Sequence, residues 1–138
     1  MACYVFDSSF VGALVIPDER NPYVEKMYDK IQNEDVKYAP QLFWYEIANI
    51  FKNLIRRKRY TFDDVQQFFP RLTAIRLETD YETGAEFAEK LLRLCNNYNL
   101  SSYDAAYLEL AERKRAALCT LDDRLREAAK KHGVVILK

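Results

Sequence analysis

Four acidic residues stand where carboxylates do chemistry. Asp7 follows the apolar run CYVF (residues 3–6), which reads as a buried strand, so its carboxylate sits at a strand's carboxyl end. Asp122 is placed likewise, just after the β-like run AALC (116–119) and Thr120. In open α/β sheets, ligands bind in the crevice outside those ends. Asp104 falls in the first turn of a helix opened by a serine pair, Ser101 and Ser102. Glu46 is the most telling of the four. In the long helix over 41–59, at roughly 100° per residue, Leu42, Phe43, Ile47, Ile50, Phe51 and Leu54 fill one half of the wheel, and Glu46 lies within that half. A carboxylate on an apolar face must be paired with a rim Arg or Lys, protonated or bound to a cation, because leaving it bare costs several kcal/mol.

Ordinary structural roles compete for the same residues. Ser101-x-x-Asp104, Thr120-x-x-Asp123 and Thr61-x-x-Asp64 all fit the helix-start signature in which a hydroxyl caps and an acid three residues on reaches back. Asp7 could equally cap the segment 10–16. The capping grammar gives Asp123 a helical role and leaves Asp122 over.

Composition bounds the rest. At 138 residues, 49% of them hydrophobic, the chain is a single domain (1–138) with enough apolar mass for a core. Lys plus Arg equals Asp plus Glu at 21 each, so no overall positive field draws in nucleic acid, and a polyanion must be held locally. The longest uncharged apolar run, 11–16, is far short of a membrane span, and no secretion signal opens the chain; a soluble, cytoplasmic protein without a membrane role is expected. Cys3, Cys95 and Cys119 are odd in number, lack metal-like spacing and read as reduced core residues. The lone histidine, His132, lies in a Lys-Lys-His-Gly helix end, which argues against a His-based triad. Three glycines preclude the dinucleotide fingerprint and the P-loop.

The elements that must position the acids alternate. Strands are expected at 3–6, 36–39, 74–77, 116–119 and 134–137, and helices at 10–16, 23–32, 41–59, 60–72, from an Asp80 cap onward, from Ser101 onward and at 122–131. Pro70 should disturb the last turn of the 60–72 helix. This order predicts an α/β three-layer α/β/α sandwich with a mostly parallel sheet of about five strands, the first central. Asp7 and Asp122 would then share one sheet edge, within reach of Glu46 and Asp104. Two ionised carboxylates about 4 Å apart repel by roughly 4 kcal/mol at an effective dielectric near 20, so four together need cations or must protonate. Hard oxygen ligands favour Mg²⁺ or Mn²⁺.

The stretches VFDSS, FWYEIANIF, SSYDAAYLELA and CTLDDRL resemble, in order and over essentially the whole chain, the four acidic motifs of PIN-domain nucleases, specifically the VapC-like toxins of toxin-antitoxin pairs. The resemblance implies a Mg²⁺- or Mn²⁺-dependent endoribonuclease. Asp7, Glu46, Asp104 and Asp122 would be its acidic tetrad, catalytic and metal-binding, with Ser9, Asn49 and Thr120 in support. The doubled Asp122-Asp123 leaves the fourth acid open, the family spacing favouring Asp122. RNA would be the substrate, a cognate antitoxin the partner and a homodimer the assembly. Arg56, Arg57 and Arg59 at the end of the long helix, and Arg124 beside Asp122, are the expected phosphate contacts; Tyr60, Phe62, Phe68 and Phe69 are the expected interface aromatics. Two other readings compete: an Asp7-dependent phosphatase or phospho-acceptor domain, and a non-catalytic binding module.

Overall fold

The computed structural model describes all residues, 1–138. Strand β1 (Cys3–Phe6) leads through α1 (Ser8–Val15), a 3-10 turn and α2 (Pro22–Asp29) to β2 (Val36–Pro40). Helices α3 (Leu42–Arg56), α4 (Phe62–Gln66) and α5 (Phe69–Ile75) precede β3 (Glu78–Asp80), and α6 (Ala85–Tyr98), α7 (Ser102–Lys114), β4 (Ala117–Cys119) and α8 (Asp123–His132) complete the order.

The sheet runs β3-β2-β1-β4 with every pairing parallel, so β1 is interior as expected. Val5 and Phe6 point to opposite faces, yet both are fully buried, which requires cover on each side. Phe6 packs at a tilt against Phe10 of α1 and edges Tyr28 of α2. On the other face α7 lies across β1, β2 and β4, with α6 packed behind it. The result is an α/β/α sandwich. Because the chain leaves β1 for β2 on one side and returns to β4 on the other, the order reverses between β1 and β4, and their carboxyl ends flank the crevice where such sheets bind ligands.

Four expectations need correction. The sheet has four strands: residues 134–137 add only an isolated parallel bridge, Ile136 to Leu118, beside a β4 just three residues long. The third strand is at Glu78–Asp80 rather than 74–77, because α5 runs on through Ile75 and stops only where Arg76 turns left-handed at φ 59°. The single helix over 60–72 is two, since Pro70 occupies the first turn of a new helix, α5, where its missing N–H costs nothing. Asp80 does not cap α6; it ends β3, and Gly84, at φ 102°, precedes the helix.

Candidate active site

Asp7 is the most constrained of the acids. It caps α1, its Oδ1 accepting from the Phe10 N–H at 3.0 Å and from the Ser9 hydroxyl at 2.7 Å, while Oδ2 accepts from the Thr120 hydroxyl. The two hydroxyls are themselves fixed from β4's end, Ser9 accepting from Leu121 N–H and Thr120 from Asp122 N–H, each at 3.0 Å. Asp7 is therefore a buried carboxylate clamped across the β1–β4 switch point. Burial raises its pKa above the ordinary value; the Ser9, Thr120 and Phe10 bonds oppose that rise, and the charge of Asp122 adds to it.

The three capping candidates separate. Thr61 and Asp64 form a complete capping box, each side chain bonded to the other's backbone N–H. Ser101 caps α7 by accepting from Asp104 N–H at 3.1 Å, but the Asp104 carboxylate does not reach back, so it is free for other work. Thr120 does not cap at all: Asp122 does, its Oδ1 accepting from Leu125 N–H at 2.9 Å. The expectation that capping leaves Asp122 over is thus reversed: the Thr120 hydroxyl donates to Asp7 and accepts from Asp122 N–H, short of the helix, and Asp122 caps α8 through Oδ1. Asp123 is the exposed first residue of α8.

Glu46, half-buried on α3, finds neither an arginine nor a lysine; its Oε1 accepts from the hydroxyl of Tyr107. Burial raises the Glu46 pKa first, then the charges of Asp7 and Asp104. Asp104 is raised by burial and by Asp122, against lowering by Ser101 and Arg124. The carboxylates thus lie within one another's fields: Asp122 acts on Asp7 and Asp104, and both of these act on Glu46. None of the four forms an ion pair with a lysine or arginine. As the side chains stand, no group of three or more acidic, histidine or cysteine residues is drawn close enough to hold one metal ion.

A family model for the PIN domain matches residues 4–131. This chain belongs to the PIN-domain family. A related PIN protein, ribonuclease VapC3 of Pyrobaculum aerophilum, is 29% identical over 123 residues, spanning 89% of this chain and 92% of its own. Among solved structures, PAE2754 from Pyrobaculum aerophilum superposes with a TM-score of 0.72 at 20% identity, covering 98% of this chain and 88% of that one. A toxin-antitoxin complex from Klebsiella pneumoniae follows at 0.59 and 16%, covering 86% of each. At these identities the structural likeness speaks for the fold.

Other expected site residues of this PIN domain fall differently. Ser9 and Thr120 support Asp7 directly, whereas Asn49 is exposed on α3 and no hydrogen bond ties it to the acids. Arg56 and Arg57 are exposed, but Arg59 is held away by Asp18 at 2.7 Å and Glu19 at 3.4 Å. Of the interface aromatics, Phe68 is core, packed on Phe51 and Tyr60, because those rings fill the space between α3 and α4; only Phe62 and Phe69 are exposed, at 64% and 48%. His132 ends α8 as expected, with Nδ1 2.7 Å from the Tyr98 hydroxyl and Nε2 paired with Glu112.

Two participants escaped the sequence reading. Tyr107 supplies the hydroxyl from which Glu46 accepts, and its place one turn after Asp104 on α7 does not by itself mark it out in the sequence. The second is Arg113, which bonds Asp80 at 2.9 and 2.6 Å and Glu109 at 2.8 and 3.0 Å, binding α7 to the end of β3. Glu109 is buried within this network.

Proposed function

We propose that this PIN domain is a divalent-metal-dependent endoribonuclease that hydrolyses phosphodiester bonds in RNA, the toxin of a toxin-antitoxin pair. The observation that carries the reading is the set of four carboxylates, from four separate elements, whose charges bear on one another at the switch point with no basic side chain bonded to any of them. Hard oxygen donors in a mutually repelling group suit Mg²⁺ or Mn²⁺, which would relieve the repulsion. Asp7, Glu46, Asp104 and Asp122 would hold the ion, Asp7 and Glu46 from the positions in which hydroxyl donors fix them. Exposed Asp122 and partly exposed Asp104, which no hydroxyl holds in this way, are the two whose side chains can adjust to the ion.

A bound Mg²⁺ or Mn²⁺ would supply the Lewis acidity that makes water a nucleophile near neutral pH and offsets charge at the phosphate. Asp7 sets the position around which the others gather, through the Ser9 and Thr120 hydroxyls and the Phe10 N–H. Asp7 is buried and clamped in place, which disfavours the phosphatase or phospho-acceptor reading, where Asp7 itself would attack phosphorus, while Oδ2, with a single bond from Thr120, keeps a lone pair for an ion. Arg124, whose charge already reaches Asp104, and the exposed Arg56 and Arg57 supply the local cations that a net-neutral protein needs to hold RNA.

Antitoxin binding and self-association are part of the same reading. The toxin-antitoxin complex from Klebsiella pneumoniae supports the antitoxin, and the exposed Tyr45, Phe62, Phe69 and Tyr81 support both, since aromatics are enriched where proteins meet. No helix is long and apolar enough to cross a membrane, in keeping with a cytoplasmic setting. Incubating the purified chain with structured RNAs in Mg²⁺, Mn²⁺ or EDTA, beside an Asp104→Asn control, tests the reading. Cleavage that needs the metal and fails in the variant supports it. Metal-independent or absent cleavage with retained partner binding would favour a non-catalytic module.

A further inference from the structure

We propose that Tyr107 is the positioning residue of the site, holding Glu46 in the direction from which it meets the metal; this rests on the metal-dependent reading above. Tyr107 is one of the largest fully enclosed side chains in the molecule, 2% exposed, so its ring has no freedom to swing. Its hydroxyl is nonetheless polar and must find a partner, and the one it finds is Glu46 Oε1 on a different helix. The bond is between residues 61 positions apart, so it is a tertiary link rather than a local one.

Its place on α7 gives the link its meaning. Tyr107 follows Asp104 by one helical turn, so a single rigid element both presents one acid and grips another from α3. The spacing between Asp104 and Glu46 is then set by α7 rather than by the flexible three-bond stem of a glutamate. Burial is the reason a grip is needed. Glu46 stands on the half of α3 that carries Phe43, Ile47 and Leu54, and without a donor its carboxylate would either lack a partner or turn out to solvent. A hydroxyl that occupies one lone pair on Oε1 fixes the carboxylate plane and leaves the remaining lone pairs for a cation. No lysine or arginine pairs with Glu46, so the tyrosine hydroxyl is its partner.

Groups that orient metal ligands typically contribute 10- to 100-fold to affinity. Mn²⁺ binding to the whole chain, measured by titration calorimetry or by the loss of free Mn²⁺ signal in electron paramagnetic resonance, is the readout. Tyr107→Phe keeps the ring and deletes the hydroxyl, and should weaken Mn²⁺ binding by about tenfold or more. In a Glu46→Gln background the same change should have no further effect, since a positioning residue acts only through the group it positions. A merely structural tyrosine would weaken both backgrounds alike. Unchanged Mn²⁺ affinity in Tyr107→Phe overturns the inference and leaves the metal-dependent reading intact, whereas a wild-type chain that binds no Mn²⁺ overturns both. Should Tyr107→Phe fail to fold, because it leaves a carboxylate without its donor, the double variant with Glu46→Gln takes its place: a tenfold loss relative to Glu46→Gln alone would then sink the proposal, and equality would sustain it.

Discussion

The Thr120 hydroxyl donates to Asp7 Oδ2 while accepting from the backbone N–H of Asp122, so one side chain from the end of β4 fixes two of the four acidic positions at once. Removing it with Thr120→Val leaves a buried carboxylate oxygen short of a donor. The expected cost is about 1–3 kcal/mol of stability. Thr120→Ser should recover most of it. Urea denaturation of the two variants beside the wild type checks this, and a Val variant as stable as wild type would mean that the bond contributes nothing.

Glu46→Gln should leave the metal-free protein at least as stable, because it removes one charge from a mutually repelling group. Mn²⁺ affinity should fall by more than about tenfold. Melting curves with and without Mn²⁺ report both quantities, since a ligand that binds only the folded state raises Tm with concentration. A large drop in metal-free stability would point instead to an energetically dominant Tyr107–Glu46 bond.

Acid should help the metal-free site. Asp7, Glu46 and Asp104 all have pKa values raised on folding, chiefly by burial, so between the ordinary carboxylate range near about 4 and their raised values the folded state binds more protons than the unfolded one. Their contribution to stability therefore rises as pH falls through that window and is lost as pH rises above it. Asp80, lowered by Arg113, and exposed Asp18, lowered by Arg59, act in the opposite sense. The clean measurement is the pH dependence of the stability difference between wild type and an Asp7→Asn, Glu46→Gln variant. Wild type should gain on the variant as the solution is acidified, and saturating Mn²⁺ should flatten the difference.

Arg57→Gln and Arg124→Gln should each lower the slope of log affinity for RNA against log salt by about one while leaving Mn²⁺ affinity alone. Arg59→Gln should not, because its guanidinium is engaged by Asp18 and Glu19. Asp104→Asn should bind RNA and not cut it. Filter binding over a salt series separates these outcomes, and a slope change at Arg59 equal to that at Arg57 would show that the carboxylates release it to the substrate.

Arg113→Met should be the most damaging of the substitutions away from the acids. It strands Asp80 and the buried Glu109 together, at an expected cost on the order of 3–5 kcal/mol. Thermal unfolding measures it. If the network merely breaks even against an apolar side chain, the triple change Arg113→Met, Asp80→Leu, Glu109→Leu should recover the loss.

Where periodicity and burial point the same way, sequence was enough. The run ending at Asp7 and the half-wheel of α3 were legible, and with them the parallel sheet and the placing of Asp7, Glu46, Asp104 and Asp122 on their elements. Errors arose where one residue had two possible partners. Thr120 fits a capping box, yet Asp7, 113 positions away, takes its hydroxyl, and Asp122 caps in its stead. Asp80 looks like a helix cap until Arg113 arrives from α7. Residues 74–77 are apolar enough for a strand, but Leu72 and Ile75 are buried at helical spacing and α5 simply continues. Tyr107 was unreadable for another reason: a buried tyrosine on a helix is ordinary, and only the partner distinguishes it.

The pairing of β1 with β4 joins Phe6 to Cys119, across nearly the whole chain. Closing so long a loop is entropically costly and comes late on the folding path, after the contacts of shorter range have formed. The Asp7 clamp cannot exist until that register is made, since both of its hydroxyl-bound backbone anchors lie just past β4. Partly folded chains, whatever helices they contain, therefore lack the centre on which the others converge. In a refolding experiment with Mn²⁺ present from the start, capture of the ion should follow the slowest phase rather than the first collapse, making the metal a clock for the last step of folding.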